Sequence, residues 1–546
     1  MGGLGFAMAL KRQRLSTNFV LYESAPDIGG TWRDNIYPGC ASDIPIHWYT
    51  YSTELKSDWA RSHGLQPEIQ QYLHGLVDKY SLRPHCRFGT SVISADWDGV
   101  ASVWRLVLQD VKTKATTGAT AKALISAIGI LCVPNEVNIA GTDAFKGRMF
   151  HSARWQYDFE LKGKRVGVIG NGCSADQFMP VISEDPSTQI VQFCRTPMWF
   201  VDGVHRPYSS VSRWAFRYLP FLLKLHRYLI AASYDAVYII FPRRFGFLNR
   251  FQAKEMTKYI KDKAPVEYHE KLIPSYSVGC RRIIRDNHYL ECLHRPNVTL
   301  NWDGIERITE SGIQTKTGEV PLDVIICATG FVTDKFPVQI KGTEGTLDEY
   351  FNAHGGPTAY LGATVPGFPN FVLIQGPNTS TGHASVIFTE ETQTNYALEL
   401  LKPVLSGALS SVAPTHAATD AYNELIQARL TQTVWMSCVS WYRAGNSGKI
   451  IGTFPGPVAL YWWWLRAVRW NDYSVEGKGK SGWERRRTVK SAALWTALAG
   501  ILAVLLGALS TSLNPGGSYG ILKDLTSWEQ DPVGRFGSYV DRLRGA

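Results

Sequence analysis

The stretch Lys164-Arg-Val-Gly-Val-Ile-Gly170-Asn-Gly172-Cys-Ser174-Ala175-Asp-Gln177 runs from an apolar segment through a glycine turn into a helix start. Gly-x-Gly-x-x-Ala in that setting brings backbone N–H groups and the positive end of a helix against a pyrophosphate, because glycine permits close approach. About twenty residues further on, where an acid would take ribose hydroxyls, stands Cys194-Arg195-Thr196. A guanidinium there suits a 2′-phosphate and points to NADPH over NADH, with a surface arginine at a strand end as the competing reading. Glu23 closes the short apolar run Phe19-Val-Leu-Tyr-Glu23. It is placed to bind the ribose of a second nucleotide, unless it merely caps a turn. Two dinucleotides on one chain make FAD plus NADPH the natural pair.

These groups need elements to hold them, and the chain of 546 residues has room for two to four domains. With 45% hydrophobic and 19% charged residues it is a folded protein, far from the composition of disorder. Small and apolar residues at helical spacing predict a helix over Met1–Lys11, and Phe19–Glu23 reads as the second strand of a βαβ unit. Further on, the pattern predicts a helix over Gln66–Tyr80, strands around Trp97 and Trp104, a strand at Ala123–Gly129, a helical excursion over Arg206–Lys263 and a buried strand at Asp323–Gly330. Nine cysteines, none in a CxxC or CxxH pair, argue against a disulfide scaffold, a zinc site and disulfide reductase chemistry, and fit a reducing compartment. Lys plus Arg exceed Asp plus Glu by 57 − 47 = +10, yet no basic recognition helix supports nucleic-acid binding.

Two further motifs carry a family resemblance. Gly30-Thr31-Trp32-Arg-Asp-Asn-Ile-Tyr37-Pro-Gly-Cys-Ala-Ser-Asp43 resembles the G-x-W-x4-[FY]-P-[GM]-x3-D motif of Baeyer–Villiger monooxygenases. Phe145-x-Gly147-x3-His151-x3-Trp155 is similar to the same family's linker fingerprint, F-x-G-x3-H-x3-W. The likeness continues through Gly279-Cys-Arg281-Arg282, Ala328-Thr329-Gly330-Phe331, Gly376-Pro-Asn-Thr-Ser-Thr-Gly-His383 and Ser440-Trp441-Tyr442, up to about residue 475. It implies an α/β fold of two Rossmann-like domains, for FAD and NADP. It also implies a reaction in which NADPH reduces FAD and a C4a-peroxyflavin oxidises a ketone to an ester or lactone.

By resemblance Arg282 is the cation for the negatively charged oxygens, a task suited to a guanidinium, and Asp43 holds it in place. Read from the residues alone, Asp43 would be an Asx-type turn residue. Arg281, Arg195 and Thr196 would take the 2′-phosphate, and Trp441 would lie against the nicotinamide nucleotide. Cofactor contacts are further expected at Gly3, Glu23, Gly30, Thr31, Trp32, Tyr37, Asp43, Gly170, Gly172, Ser174, Ala175, Gln177, Thr329 and Gly330, with Trp32 and Tyr37 flanking the flavin or packing. His151 reads as a structural histidine, not an acid or base, and no metal is expected.

The sequence departs from the family in three places. Gly3 stands where only the last glycine of the FAD fingerprint would fall, so the first strand of that sheet is expected to be missing, as in an incomplete gene start. Gln156 follows the linker fingerprint where Pro or Asp is usual. Ala127-Ile128-Gly129 replaces the first Ala-Thr-Gly turn, keeping the backbone path but losing a hydroxyl.

The expected organisation is therefore a first FAD-binding part over 1–140, an NADP domain over 141–320 with a helical insertion about 206–263, a second FAD part and cap over 321–475, and a basic linker over 476–490. No secretory signal opens the chain, and a mean hydropathy of −0.13 excludes a polytopic membrane protein. Ser491–Leu513, 23 residues without charge, has the length to cross about 30 Å of hydrocarbon as a C-terminal transmembrane helix. Residues 478–490 hold six basic residues and one acid, which orients a single-pass protein with its catalytic part in the cytosol; residues 514–546 form a short tail. A buried core helix is the other reading. The expected partners are a hydrophobic ketone of terpenoid, polyketide or steroid type, O2 and a membrane, with no nucleic acid. An N- or S-hydroxylating enzyme on the same fold and a non-catalytic tethered scaffold are the alternatives.

Overall fold

The computed structural model describes residues 1–489. Met1–Gly477 form one compact unit, and Lys478 begins a second. Within the second, residues 480–489 are helical where the sequence suggested a plain linker; Glu, Arg and Lys are good helix formers. The expected span 491–513 and tail 514–546 lie outside the described residues. Among the described residues no helix is long and apolar enough to cross a membrane.

The second nucleotide-binding half is built on a five-stranded parallel sheet. Its order is Val298–Asn301, Gln189–Phe193, Arg165–Ile169, Val324–Cys327, Arg148–His151. Val324–Cys327 is buried along its whole length, as a strand covered on both faces must be. This strand was expected with the residues from 321 onward, but it sits inside the 141–320 sheet. An apolar run announces burial without announcing which sheet it joins, so local pattern could not place it.

The first half holds two short parallel pairs, Leu21–Tyr22 with Cys86–Arg87 and Leu124–Ser126 with Phe371–Leu373. A four-stranded sheet of Gln339–Lys341, Thr90–Asp98, Val103–Asp110 and Thr116–Ala121 completes it. Trp97 and Trp104 pair directly across two of these strands with ring centroids 5.4 Å apart. Trp104 is fully buried and its Nε1 donates to the Pro369 carbonyl at 2.9 Å, which ties that sheet to the strand beginning at Phe371. Helix Gly2–Arg12 packs Ala9 and Leu10 against Leu398 of helix Val386–Leu405. A side chain at Gly2 would stand 2.7 Å from Ile374 Cγ2, so the helix approaches that segment as closely as only glycine allows.

The expected helical excursion consists of Ser210–Tyr218, Pro220–Ala236 and Gly246–Lys263. One cross-link was not foreseen: Cys280 and Cys438 form a disulfide across 158 residues, while the other seven cysteines are free. The cysteines carry no close spacing in sequence because the fold alone brings their Cα atoms to 6.1 Å.

Candidate active site

A cleft of about 3080 Å³ runs through the 1–477 unit. It is lined by Gly3, Glu23, Gly30, Thr31, Trp32, Asp43, Gly170, Gly172, Ser174, Arg195, Thr196, Arg281, Arg282, Thr329, Gly330 and Trp441. Residues separated by as many as 438 positions are thus gathered on one surface.

At its centre stands an ion pair. Arg282 donates from Nε to Asp43 Oδ2 at 3.0 Å and from Nη2 to the same oxygen, while Nη1 donates to the Gly382 carbonyl at 2.8 Å. The side chains are 18% and 34% exposed. Burial works against the charge on both, but their mutual attraction outweighs it. Asp43 is held below the ordinary carboxylate range and Arg282 above the ordinary guanidinium value. Tyr442 and Cys173 near this pair are pushed up to about 12, chiefly by burial, and stay protonated. The arginine is therefore a fixed cation whose orientation is set from two sides and whose edge faces the cleft. The disulfide lies beside it in sequence, joining Cys280 to the segment that continues into Ser440-Trp441-Tyr442.

The glycine turn behaves as its pattern requires. Gly170 has φ +111° and a Cβ there would meet the Ala328 carbonyl at 2.5 Å, so the turn is pressed against the Ala328–Gly330 loop. Gly172 starts helix Cys173–Ile182 with no side-chain cap, and a Cβ on it would meet nothing within 4 Å. Open space in front of an uncapped helix N-terminus fits a phosphate. Arg281 is half-buried over the Tyr276 ring at 5.7 Å, and its Nε is buried with no hydrogen-bond partner. Burial lowers its pKa and nearby Arg195 lowers it further. Among the described residues neither arginine has a carboxylate within 4.0 Å, so the two like charges await an anion. Asn171 supports them by donating to the Thr196 carbonyl at 2.9 Å.

On the other side, Gly30 (φ +54°) leads into helix Thr31–Asp34, and a Cβ there would again meet nothing within 4 Å. Trp32 Nε1 donates to Tyr49 Oη at 3.3 Å. Glu23 lines the cleft while its Oε1 accepts from the Ala25 N–H at 3.0 Å and pairs with Arg33 at 3.2 Å. Gly129 and Gly330 share a left-handed backbone at φ +82° and +78°. The turn at Ala127-Ile128-Gly129 thus keeps its glycine conformation without the threonine.

Three expected cofactor residues do not line the cleft. Ala175 is fully buried under the turn. Tyr37 donates from Oη to Gln177 Oε1 at 3.0 Å, while Gln177 Nε2 donates to the Ala41 carbonyl at 3.0 Å. Tyr37 and Gln177 clasp the Gly30–Asp43 segment to the helix after the glycine turn, because each satisfies the other's polar group. His151 accepts from the Ala153 N–H at 3.0 Å through Nδ1, and burial lowers its pKa, which favours the neutral imidazole. Two contributors were missed. The Gly382 carbonyl accepts from Arg282, and buried His383 beside it pairs through Nε2 with Asp235 of the helical excursion at 3.3 Å. Only the Gly-rich spacing of residues 376–383 hinted at them.

The chain matches the model of the flavin-binding monooxygenase-like family over residues 19–339. It is 37% identical over 484 residues to a Baeyer-Villiger monooxygenase of Streptomyces coelicolor, covering 87% of this chain and 91% of that one. It is 31% identical over 558 residues to the FAD-binding monooxygenase ktnD of Aspergillus niger, covering 98% and 90%. A crystal structure of OTEMO in complex with FAD and NADP is similar with a TM-score of 0.76 at 26% identity, covering 87% of this chain and 97% of that chain.

The ion pair sets a pH signature. A carboxylate with a depressed native pKa stabilises fully above its unfolded value, about 3.9, and less as pH falls through the native value. Asp43→Asn should therefore melt below the wild type at neutral pH. The difference between the two melting temperatures should narrow as pH falls below about 4 and close only once pH passes the depressed native value. A difference that persists unchanged down to pH 3, measured by thermal scanning, would show that Asp43 does not act through its charge.

Proposed function

The chain belongs to the flavin-binding monooxygenase-like family, and from that membership we propose that it converts a hydrophobic ketone to an ester or lactone. It is an NADPH-dependent flavin monooxygenase of Baeyer–Villiger type, with FAD and NADPH as its cofactors. The residues present fit both nucleotides: the open glycine turn, the orphaned Arg281 Nε beside Arg195, and the uncrowded Gly30 each leave room for a phosphate or a ring system. When bound, FAD accepts reducing equivalents from NADPH and uses them to activate O2.

The observation that carries the reading is Arg282, held by Asp43 and the Gly382 carbonyl with its charge on the cleft. A preorganised cation stabilises negative charge developing on a carbonyl oxygen without having to reorganise as the charge appears. Asp43 fixes the guanidinium's orientation and keeps it charged. Arg195, Arg281 and Thr196 hold the 2′-phosphate and so select NADPH. Trp441 covers the nucleotide side of the cleft. Its wall of Ile44, Ala384 and Tyr49 is apolar, which favours a greasy ketone of terpenoid, polyketide or steroid type.

We further propose that the chain is held to a membrane by residues 491–513, with the catalytic part cytosolic. The support is 23 residues without charge behind a flank of six basic residues and one acid.

Arg282→Ala should cut ester formation by about 100-fold or more while the purified protein keeps its flavin absorbance. Retained ester formation, read by product mass spectrometry, would overturn its role; oxygenated amines or sulfides in place of esters would overturn the ketone assignment. Arg195→Ala and Arg281→Ala should each raise KM for NADPH by about tenfold or more and leave KM for NADH nearly unchanged. Removing residues 491–546 should move the protein from the membrane fraction to the soluble fraction of lysed cells, and a protein whose distribution does not change is not anchored there.

A further inference from the structure

Helix Pro220–Ala236 is amphipathic in the ordinary way on one side and inverted on the other. Its inner face carries Leu223 and Arg227, which are 4% and 5% exposed, and packs Ile230, Ala231 and Tyr234 against Ile44, Trp48, Ala384 and Val458. Arg227 fixes its rotation: Nη1 donates to the His47 carbonyl at 2.6 Å and the Thr50 carbonyl at 2.9 Å. Asp235 at its end accepts the Ala459 N–H at 3.2 Å and pairs with His383. The outer stripe is therefore held toward solvent, yet it is apolar. Phe221, Leu225, Tyr228 and Leu229 follow helical spacing and are 63%, 51%, 68% and 61% exposed. The preceding helix Ser210–Tyr218 repeats the arrangement with Trp214 and Tyr218, 57% and 59% exposed.

Charge accompanies this surface. Residues 210–236 contain four Lys or Arg and one acid, Asp235; Arg227 is turned inward, and Asp235 is occupied by the contacts just given. Arg213, Arg217 and Lys224, interleaved with the exposed aromatic and aliphatic side chains, have no carboxylate within 4.0 Å among the described residues. Aromatic and aliphatic side chains bordered by exposed cations are complementary to the interface of an anionic bilayer, where the rings and leucines enter the acyl boundary and the cations meet headgroup phosphates. A protein partner for so basic a face would need a matching acidic surface, and a second copy of this chain would bring like charge to like charge.

We infer that the outer face of helices Ser210–Tyr218 and Pro220–Ala236 docks on an anionic lipid surface. The opposite face of Pro220–Ala236 packs on Ile44 and Ala384, which line the catalytic cleft. The docking surface thus backs directly onto a wall of the site. It is independent of the 491–513 anchor, which rests on other residues and predicts only a change of cell fraction.

Hydrogen exchange of the full chain, with and without vesicles, tests it. Phosphatidylcholine vesicles containing phosphatidylserine should protect peptides spanning 210–232, and pure phosphatidylcholine or added salt should weaken that protection. The pair Phe221→Glu/Leu225→Glu should abolish the local protection, with flavin absorbance retained as the sign of a folded protein. The set Arg213→Glu/Arg217→Glu/Lys224→Glu should remove the preference for phosphatidylserine. No vesicle-dependent protection at 210–232 overturns the inference. So does protection there that rises with protein concentration in the absence of lipid, which would assign the face to a second copy. An anchor that fails its own test leaves these local readouts unchanged.

Discussion

The rest of the site depends on keeping one guanidinium charged and still. Arg282 loses solvation in the cleft, and the loss is offset only because Asp43 stands against it and the Gly382 carbonyl takes a third hydrogen bond. Asp43 and Gly382 stand 239 and 100 positions along the chain from the arginine. Each must be delivered by its own piece of scaffold. The Tyr37–Gln177 clasp ties the Asp43 segment to the second nucleotide-binding half. The disulfide ties the arginine's own loop to the Trp441 segment. His383, beside Gly382, is held by Asp235.

The same logic explains why the helical excursion carries so much structure for a peripheral element. Its buried Arg227 satisfies two backbone carbonyls of the segment after Asp43, and its Asp235 braces the segment after Gly382. A helix pinned on one side by polar bonds cannot rotate to bury its outer face. The exposed aromatic stripe is therefore a consequence of how the ion pair's supports are anchored.

Local pattern revealed the elements well. The helices at Gly2–Arg12 and Gln66–Lys79, the strands around Trp97 and Trp104, and the strand, turn and helix of 165–182 lie where hydrophobic periodicity and glycine spacing place them. It failed where an element's partner mattered more than its type. Val324–Cys327 read correctly as a buried strand, but its sheet was not legible, since burial on both faces looks the same in either. Tyr37 and Gln177 lie in motifs that point to cofactors, yet each finds a polar partner in the other. Cys280 and Cys438 carry no spacing signal because 158 residues separate them.

The sequence by itself determined the chemistry available: a glycine turn before a helix, arginines where an acid would otherwise select NADH, and motifs at Gly30–Asp43 and Phe145–Trp155 specific enough to indicate the family. Those features are local, set by backbone conformation and residue type over a dozen positions, and so they survive in one dimension. Only the tertiary structure decided which arginine faces which carboxylate, which polar groups are spent on bracing, and which apolar face is left to solvent. Ion pairing and burial act over a few ångströms in space whatever the distance along the chain.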